Sequence, residues 1–256
     1  MLTANYHIHT RYSPCADRNM TFEAVLNAAE EAGLTRIGVS DHCYSFELNS
    51  LRIKSLREEL AQAALERSIQ ACLGVEAYLL SHRSASIHAN VAGLFEYVLM
   101  APNHYHIRGV DRPISLEPRL LADHELYMFE SAANNPATDV VAHPFRLSPR
   151  VYRMEPDRLA QLSNDMMEAL DQKRLAETLD RMREREVAVE LNAGALETAG
   201  GSLDRFYRLC IERGTMIAFG TDAHSLNEIA PTAETARYVE SLNAPAELVW
   251  QPFPYQ

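Results

Sequence analysis

The chain has 256 residues, with 24 lysines and arginines against 35 aspartates and glutamates, and its net charge is −11. A chain of this length can bury a large core, and we expect one domain over residues 1–256. The negative charge argues against broad phosphate neutralisation on nucleic acid, although it does not exclude a local basic pocket. No apolar run approaches the roughly 18 residues of a membrane span. The first strand also begins too close to Met1 for a signal peptide, so we expect a cytoplasmic protein.

Seven short apolar runs predict β-strands, and longer amphipathic stretches separate them. In chain order the predicted strands are Asn5–His9, Arg36–Ser40, Leu73–Glu76, Tyr97–Ala101, Val140–His143, Ala188–Leu191 and Met216–Gly220.

Helical periodicity fills the intervals between the strands. Thr21 is placed to cap a helix whose apolar residues recur at i, i+3, i+4 and i+7 from Phe22, and Gly33 closes it. The stretch 156–186 is long, and we expect it to break near Asn164. The other predicted helices are Ser50–Gln70, Ser84–Glu96, Arg119–Asn134, one that starts at Ser202, and Thr232–Leu242.

This alternation of strands and helices, with no linker that divides the chain, predicts a parallel α/β fold. A seven-stranded barrel and a doubly wound open sheet share the pattern. The barrel is favoured because polar residues follow nearly every predicted strand at its carboxyl end. Barrel enzymes build their sites there from several strands at once.

The four cysteines, Cys15, Cys43, Cys72 and Cys210, are far apart and form no C-x-x-C pair. We therefore expect reduced thiols rather than a disulfide framework. Cys15 and Cys43 lie beside candidate metal ligands, but we interpret both as small residues near the core rather than as ligands.

Histidines and acidic residues cluster where the predicted strands end. His7 and His9 are two residues apart on a strand, so their side chains project from the same face. Imidazole and carboxylate groups in such numbers suit Zn, Fe or Mn, and they are too many for one ion. Six of the ten histidines belong to the set, which comprises His7, His9, Asp41, His42, Glu76, His104, His143, Asp222 and His224.

The order of these motifs resembles that of the PHP (polymerase and histidinol phosphatase) family. The motifs are His-x-His near the N-terminus, then "SDH", "GVE", "NH", "AHP" and "TDAH", and they extend from about Tyr6 to Asn227. The resemblance implies a distorted (β/α)7 barrel with two or three divalent transition-metal ions at its C-terminal face.

The resemblance also implies roles for individual residues. The implied ligands are, for the first ion, His7, His9, Glu76 and Asp222; for the second, Glu76 as a bridge with His104 and His143; and for the third, Asp17, His42 and His224. The candidate catalytic residues are Glu76, Asp222 and His224.

Three acidic residues have alternative interpretations. Many relatives place a histidine where this chain has Asp17, which could instead be a turn residue or a helix-capping acid. Asp41 is expected to orient a histidine rather than to bind metal. Glu190, together with Asn192, could support the ligands or serve packing and capping.

Closely spaced metal ions suit phosphate-ester hydrolysis. Water bound between ions ionises near neutral pH and attacks phosphorus, while the ions neutralise charge on the attacking and leaving oxygens. The resemblance therefore predicts a metal-dependent phosphoesterase, similar to histidinol phosphatase, that acts on a small phosphomonoester through a metal-bridging hydroxide at a trinuclear site.

Arginines near the motifs are candidates for phosphate binding, because a guanidinium group matches two phosphate oxygens at once. Arg146 and Arg150 follow His143 on a loop that also carries Arg153, and Arg11 follows His9. The alternative interpretation is a solvated, charged loop.

Three other functions remain possible at this point. A phosphodiesterase, nuclease or cyclic-phosphate hydrolase would share the motifs, although the acidic charge favours small substrates over nucleic acid. An amidohydrolase-type barrel also opens with His-x-His, but many such enzymes bridge two metals with a lysine from a barrel strand. The only lysines here, Lys54 and Lys173, fall in helix-like stretches. A non-catalytic metal-binding barrel would be expected to have lost ligands.

Overall fold

A computed structural model describes residues 3–45, 47–199 and 201–252. Its main sheet has seven parallel strands in the order β1-β2-β3-β5-β6-β7-β8. These are β1 (Ala4–Ile8), β2 (Arg36–Val39), β3 (Gln70–Ser81), β5 (Tyr97–Ala101), β6 (Val140–Val141), β7 (Ala188–Asn192) and β8 (Ile217–Gly220). The short β4 (Ser84–Ala85) pairs antiparallel with the end of β3. The seven predicted strands are confirmed.

The sheet curves until its first and last strands meet. Ile8 and Ala223 form a parallel bridge. His9 N donates to Ala223 O at 2.9 Å, and Ala223 N donates to His7 O at 3.3 Å. The sheet is therefore a nearly closed barrel rather than a doubly wound open sheet.

Aromatic side chains fill the amino-terminal part of the barrel. Tyr97 donates its hydroxyl to Tyr6 O at 2.6 Å. A Cβ at Gly38 or Gly74 would lie 2.2 Å from Tyr97 side-chain atoms, so glycine is required beside this ring. Trp250 packs edge-to-face on Tyr6, with ring centroids 5.4 Å apart. This packing leaves the carboxyl ends of the strands as the open face.

Helices surround the barrel, and the larger apolar core lies between them and the sheet. They are α1 (Phe22–Glu31), α2 (Ser50–Ala64), α3 (Ala89–Ala92), α4 (Pro118–Asn134), α5 (Pro149–Tyr152), α6 (Pro156–Ala169), α7 (Gln172–Glu184), α8 (Ala193–Ala199), α9 (Asp204–Arg213) and α10 (Ala233–Ser241). Short 3₁₀ turns cover Leu226–Glu228 and Ala246–Leu248. Among the described residues, no helix has the length and apolarity needed to cross a membrane.

Helix α1 forms as predicted. The Thr21 side chain accepts a hydrogen bond from Ala24 N at 3.2 Å and so caps the first turn. Phe22 and the apolar residues that follow it at helical spacing are buried. Gly33 adopts φ = +74°, a left-handed conformation that ends the helix at little steric cost.

Two helix predictions are wrong, and a third extends too far, since the helix expected over Ser50–Gln70 ends at Ala64 and Gln70 begins β3. Residues 84–96 were expected to be one helix, but Ser84 and Ala85 pair with β3 and only the single turn α3 follows. Pairing with an existing strand outweighs the weak local helix preference of this segment. The long segment 156–186 breaks after Ala169, not near Asn164, because the Asp171 side chain caps α7 by accepting from the backbone N–H of Lys173 at 3.0 Å.

Candidate metal centre

The candidate site lies at the carboxyl ends of the barrel strands. Because the strands are parallel, side chains that follow different strands meet on this one face. His7 belongs to β1 and Glu76 to β3, whereas the other members lie in the loops just after their strands. The predicted ligands that the structure brings together are His7, His9, His42, Glu76, His104, His143, Asp222 and His224.

Glu76 lies at the middle of the site and is fully buried. Its Oε1 is 2.9 Å from His143 Nε2, 3.0 Å from His104 Nε2 and 3.6 Å from His7 Nε2. We call Glu76 and these three histidines the inner cluster. Burial alone would raise the pKa of Glu76, but the charges of His104, His42 and His7 hold it well below its usual range. The glutamate is therefore an anion that several histidines share.

The second carboxylate oxygen of Glu76 faces different histidines. Its Oε2 lies 2.6 Å from His42 Nδ1 and 3.6 Å from His9 Nε2. Burial alone would lower the pKa of His42, but the charge of Glu76 raises it to about 10. The two oxygens thus serve two sides of the site, which is the geometry that a bridging ligand requires.

Asp222 follows β8 and contacts one histidine from each side of Glu76. Its Oδ1 lies 3.0 Å from His9 Nε2 and 3.3 Å from His7 Nε2, and its Oδ2 accepts a hydrogen bond from Arg146 Nη1 at 2.7 Å. The backbone of Asp222 has φ = +58°, which is uncommon for a residue with a side chain. Such conformations concentrate at functional sites, where the surrounding contacts maintain them.

Glu190, in the middle of β7, supports the inner cluster. Its Oε1 lies 2.8 Å from His7 Nδ1, and its Oε2 accepts from His143 N at 2.5 Å. Asn192 Nδ2 donates to Glu190 Oε1 at 3.1 Å. A Cβ at Gly220 would lie 2.0 Å from Glu190 Oε1, so a side chain there would displace the carboxylate. Of the two interpretations of Glu190, support of a ligand is the one observed, since the carboxylate orients His7.

Asn103 also orients a histidine, and sequence reasoning missed this role. Its Oδ1 accepts from His143 Nδ1 at 3.0 Å, and its Nδ2 donates to the carbonyl oxygens of His143 and Arg146, both at 3.1 Å. With the proton on Nδ1, His143 presents the lone pair of Nε2 towards Glu76. The available signal was the position of Asn103 directly before His104 in the "NH" motif.

Four polar atoms of this centre are buried and have no hydrogen-bond partner among the described residues. They are His7 Nε2, His42 Nδ1, Glu76 Oε2 and His104 Nδ1. An unsatisfied buried polar atom costs about 1–3 kcal/mol. His42 Nδ1 and Glu76 Oε2 lie 2.6 Å apart without hydrogen-bond alignment. Buried polar atoms that crowd together without hydrogen-bond partners fit a centre for metal ions, which would bind them as ligands.

A more open group borders the inner cluster, and we call His42, His224 and Cys15 the rim cluster. The ring of His9 lies 4.4 Å, between centroids, from the rings of both His42 and His224. Cys15 is exposed, so the prediction of a near-core position is wrong for this residue. Partial desolvation alone would raise the pKa of the Cys15 thiol, but hydrogen bonds to His224 and His42 lower it to about 6.

The structure does not bring the carboxylate of Asp17 into the centre. Asp17 is exposed. Its contact with the site is through the backbone, where Asp17 N donates to His224 O at 2.8 Å. Ligation by Asp17 therefore stays a prediction.

Asp41 acts on the site through a serine. It accepts hydrogen bonds from Thr10 N at 2.8 Å and from Ser13 Oγ at 2.6 Å. Ser13 Oγ is in turn 3.3 Å from His9 Nδ1. Asp41 thus orients His9 indirectly, which agrees with the expectation that it positions a histidine.

The three candidate phosphate-binding arginines lie in different environments. Arg146 reaches the centre through Asp222. Arg150 is exposed on α5. Arg11 is exposed and donates to Glu59 Oε1 at 3.0 Å on the protein surface. Of these three arginines, Arg146 is the one observed in contact with a predicted metal ligand.

Aromatic side chains that the sequence reasoning missed stand beside the centre. The ring of Tyr44 stacks on His42 at 4.8 Å with an interplanar angle of 13°, and 45% of Tyr44 is exposed. Tyr78 lies 6.2 Å from Tyr44 and 5.8 Å from His104, between ring centroids. The sequence signal for Tyr44 was its position two residues after His42.

The lysine bridge of the amidohydrolase alternative is absent. Lys54 lies on α2 and Lys173 on α7, and each is exposed. Each pairs with a glutamate four residues along its own helix, Lys54 with Glu58 at 3.7 Å and Lys173 with Glu177 at 3.9 Å. Since the sequence contains no other lysine, no lysine is available to bridge two metal ions, and Glu76 lies at the middle of the site.

The fold matches solved structures over nearly its whole length. Histidinol phosphate phosphatase from Lactococcus lactis subsp. lactis Il1403, crystallised with Zn, L-histidinol and phosphate, aligns with a TM-score of 0.62 and 14% identity over 96% of this chain and 97% of its own. A proposed histidinol phosphatase from Listeria monocytogenes aligns with a TM-score of 0.61 and 10% identity over 91% and 99%. No curated protein sequence matches this chain.

The barrel and its buried histidine–carboxylate centre define a TIM-like barrel protein with groups that could bind metal ions. The family model of the PHP domain matches residues 5–194, and the chain belongs to the PHP family. The PHP domain and the metal-capable centre make it a metal-dependent phosphoesterase.

Proposed function

We propose that this phosphoesterase hydrolyses a small phosphomonoester at a centre of two or three divalent transition-metal ions, either Zn, Fe or Mn. The observation that carries the proposal is the Glu76 carboxylate, buried among five histidines and divided between two sides of the site. A buried carboxylate with this many imidazoles is costly unless cations share it.

The contacts support separate ligand sets for the first two ions. Asp222 Oδ1 lies 3.3 Å from His7 Nε2 and 3.0 Å from His9 Nε2, so these three residues could hold the first ion together with Glu76. The second ion would take Glu76, His104 and His143, whose Nε2 atoms approach Glu76 Oε1 to 3.0 Å and 2.9 Å. A third ion would use His42 and His224. The resemblance to the PHP family implies Asp17 as its third ligand.

Bound ions would supply a water nucleophile and neutralise phosphate charge. Arg146 would then bind a phosphate oxygen, because its guanidinium already lies at the carboxylate of Asp222. Asn103 holds the backbone of both Arg146 and His143, so the loop that carries the arginine is fixed to a metal ligand. This rigidity would keep the phosphate aligned with the inner cluster.

Three further observations support a small phosphomonoester as substrate. The Lactococcus structure contains L-histidinol and phosphate together with zinc. The net charge of this chain, −11, is unfavourable for the long phosphate backbone of a nucleic acid. The exposed ring of Tyr44 beside the centre offers a surface on which the organic part of a small substrate could pack.

The test is a substrate panel on protein of measured metal content. It should include histidinol phosphate and other phosphomonoesters, phosphodiesters, a cyclic nucleotide and an oligonucleotide. We expect a phosphomonoester to have the highest kcat/KM. A higher kcat/KM for a diester or oligonucleotide would instead establish a phosphodiesterase or nuclease, and a metal-loaded protein without hydrolysis would support the non-catalytic barrel.

A further inference from the structure

The rim cluster contains a potential ligand that the family-based assignment omits. We propose that the thiolate of Cys15, rather than the carboxylate of Asp17, binds the third metal ion together with His42 and His224. The proposal rests on the proposed function in one respect, since it requires that the centre binds metal. It makes the third site a mixed sulfur–nitrogen site.

The contacts of Cys15 carry the inference. Its thiol lies beside the imidazoles of both His42 and His224. Nitrogen atoms of these two histidines and of His9 lie within 4.8 Å of one another, close enough to share an ion. A sulfur atom that contacts two of these three rings lies beside any ion placed among them.

The loop between β1 and α1 holds Cys15 in this position. Ser13 N donates to Thr10 O at 2.9 Å, and Ala16 N donates to Ser13 O at 3.0 Å, so the segment is folded into consecutive turns. The next N–H, that of Asp17, is bonded to the His224 carbonyl at 2.8 Å. The loop is thus joined to the rim cluster by its backbone, with Cys15 facing the histidines and Asp17 exposed.

The histidine tautomer is also suitable. His224 Nδ1 lies 2.7 Å from the carbonyl oxygen of Asp222, which can only accept, so the proton is on Nδ1. The Nε2 lone pair of His224 is then available to a metal ion. One thiolate and two imidazoles would leave a fourth position of a tetrahedral site open, as in catalytic zinc sites.

The ligand type predicts which metal is preferred. Thiolate is a soft ligand that favours zinc or ferrous iron, whereas a carboxylate in its place would suit Mn or Mg better. Replacement of the carboxylate by Cys15 would therefore bias the third site towards zinc or iron.

Cobalt substitution tests the proposal directly. Metal-free protein is loaded with Co²⁺, the bound cobalt is counted by elemental analysis, and the near-ultraviolet spectrum is recorded. Cobalt bound by thiolate has an intense charge-transfer absorption that nitrogen and oxygen ligands do not produce. We expect this absorption in the wild type, and we expect Cys15→Ser to lose it together with about one ion per chain.

Two variants serve as matched controls. Asp17→Asn tests the rival ligand and should keep both the absorption and the cobalt content. Cys43→Ser removes a neighbouring thiol that is buried and donates to Ser86 Oγ at 3.0 Å, and it should also leave the absorption unchanged. Loss of an ion in Asp17→Asn with full retention in Cys15→Ser would overturn the proposal in favour of Asp17.

The outcomes separate this proposal from the proposed function. Wild-type protein that binds two or three cobalt ions without the charge-transfer absorption would overturn ligation by Cys15 and leave the metal centre standing. Wild-type protein that binds no cobalt would overturn both. Alkylation gives an independent measurement, since Cys15 is exposed while the other three cysteines are buried. Zinc should slow the modification of Cys15, and equal rates with and without zinc would contradict the proposal.

Discussion

The inner cluster and the rim cluster use the same kind of side chain but differ in enclosure and support. All four members of the inner cluster are buried, and Glu190 and Asn103 orient two of its histidines. In the rim cluster the side chain of His224 is 28% exposed, and Cys15 is exposed as well. The inner cluster is thus organised before metal binds, whereas the rim cluster faces the solvent from which substrate and metal arrive.

The variant Glu76→Gln should have the largest effect, because Glu76 serves both clusters. Loss of one partner of a buried charge pair costs roughly 3–5 kcal/mol, and a tenfold change corresponds to about 1.4 kcal/mol. We therefore expect kcat/KM to fall roughly 100- to 4,000-fold, with loss of at least one metal ion per chain. Steady-state kinetics and elemental analysis measure both effects.

Glu125→Gln is the matched control for Glu76→Gln. Glu125 is also buried, and burial raises its pKa to about 7 while Tyr105 donates to its Oε1 at 2.6 Å. It should keep its metal content and turnover. Near wild-type metal content and turnover in Glu76→Gln would show that the two clusters do not depend on a shared carboxylate.

Arg146→Ala should reduce activity without loss of metal, because Arg146 borders the inner cluster but offers no lone pair to a cation. Hydrogen bonds to charged groups contribute about 1.5–3 kcal/mol. We expect kcat/KM to fall about 10- to 150-fold, with only partial recovery in Arg146→Lys. The control is Arg150→Ala, since Arg150 is exposed on α5 and surface charges contribute little.

Unchanged metal content and melting temperature are required for a kinetic interpretation of Arg146→Ala. If both alanine variants hydrolyse the best substrate at wild-type efficiency, the arginine loop has no part in phosphate binding.

Glu190→Gln should affect the inner cluster alone. The change keeps the shape of the side chain but removes the charge that orients His7. Loss of such a supporting group typically lowers metal affinity about 10- to 100-fold. Competition titrations with a chelator should show weaker binding of one inner ion, while the thiolate signal of cobalt in the rim cluster persists. Equal weakening at both clusters would argue against separate support.

The smallest expected effect concerns the order in which ions leave the unmodified protein. Dialysis against increasing concentrations of chelator should remove the rim ion first, because less free energy is needed to open an exposed site than a buried one. Elemental analysis at each step should show a plateau with the inner ions retained. A single concerted loss of all ions would contradict the difference in enclosure between the clusters.

The strand-end residues show how much of the site the sequence could predict. His7 and His9 alternate on one strand face, and the acids and histidines that follow the other strands meet because parallel strands present their carboxyl ends together. Residues such as Asn103 and Tyr44 carried no periodic signal, since their roles depend on side chains that lie far away in the sequence. The predicted position of the helix break was wrong for a similar reason, because the cap at Asp171 interrupts an otherwise continuous helical pattern.

The sequence by itself predicted the barrel class, its seven strands and the eight candidate ligands that the structure brings together, because apolar periodicity and strand-end chemistry are local properties. Only the tertiary structure decided which oxygen of Glu76 faces which histidine, that Glu190 supports His7, and that Cys15 rather than Asp17 faces the rim. These relations depend on loop conformation and on contacts between residues distant in the chain. Distances of a few ångströms between side chains decide them, and no local pattern encodes such distances.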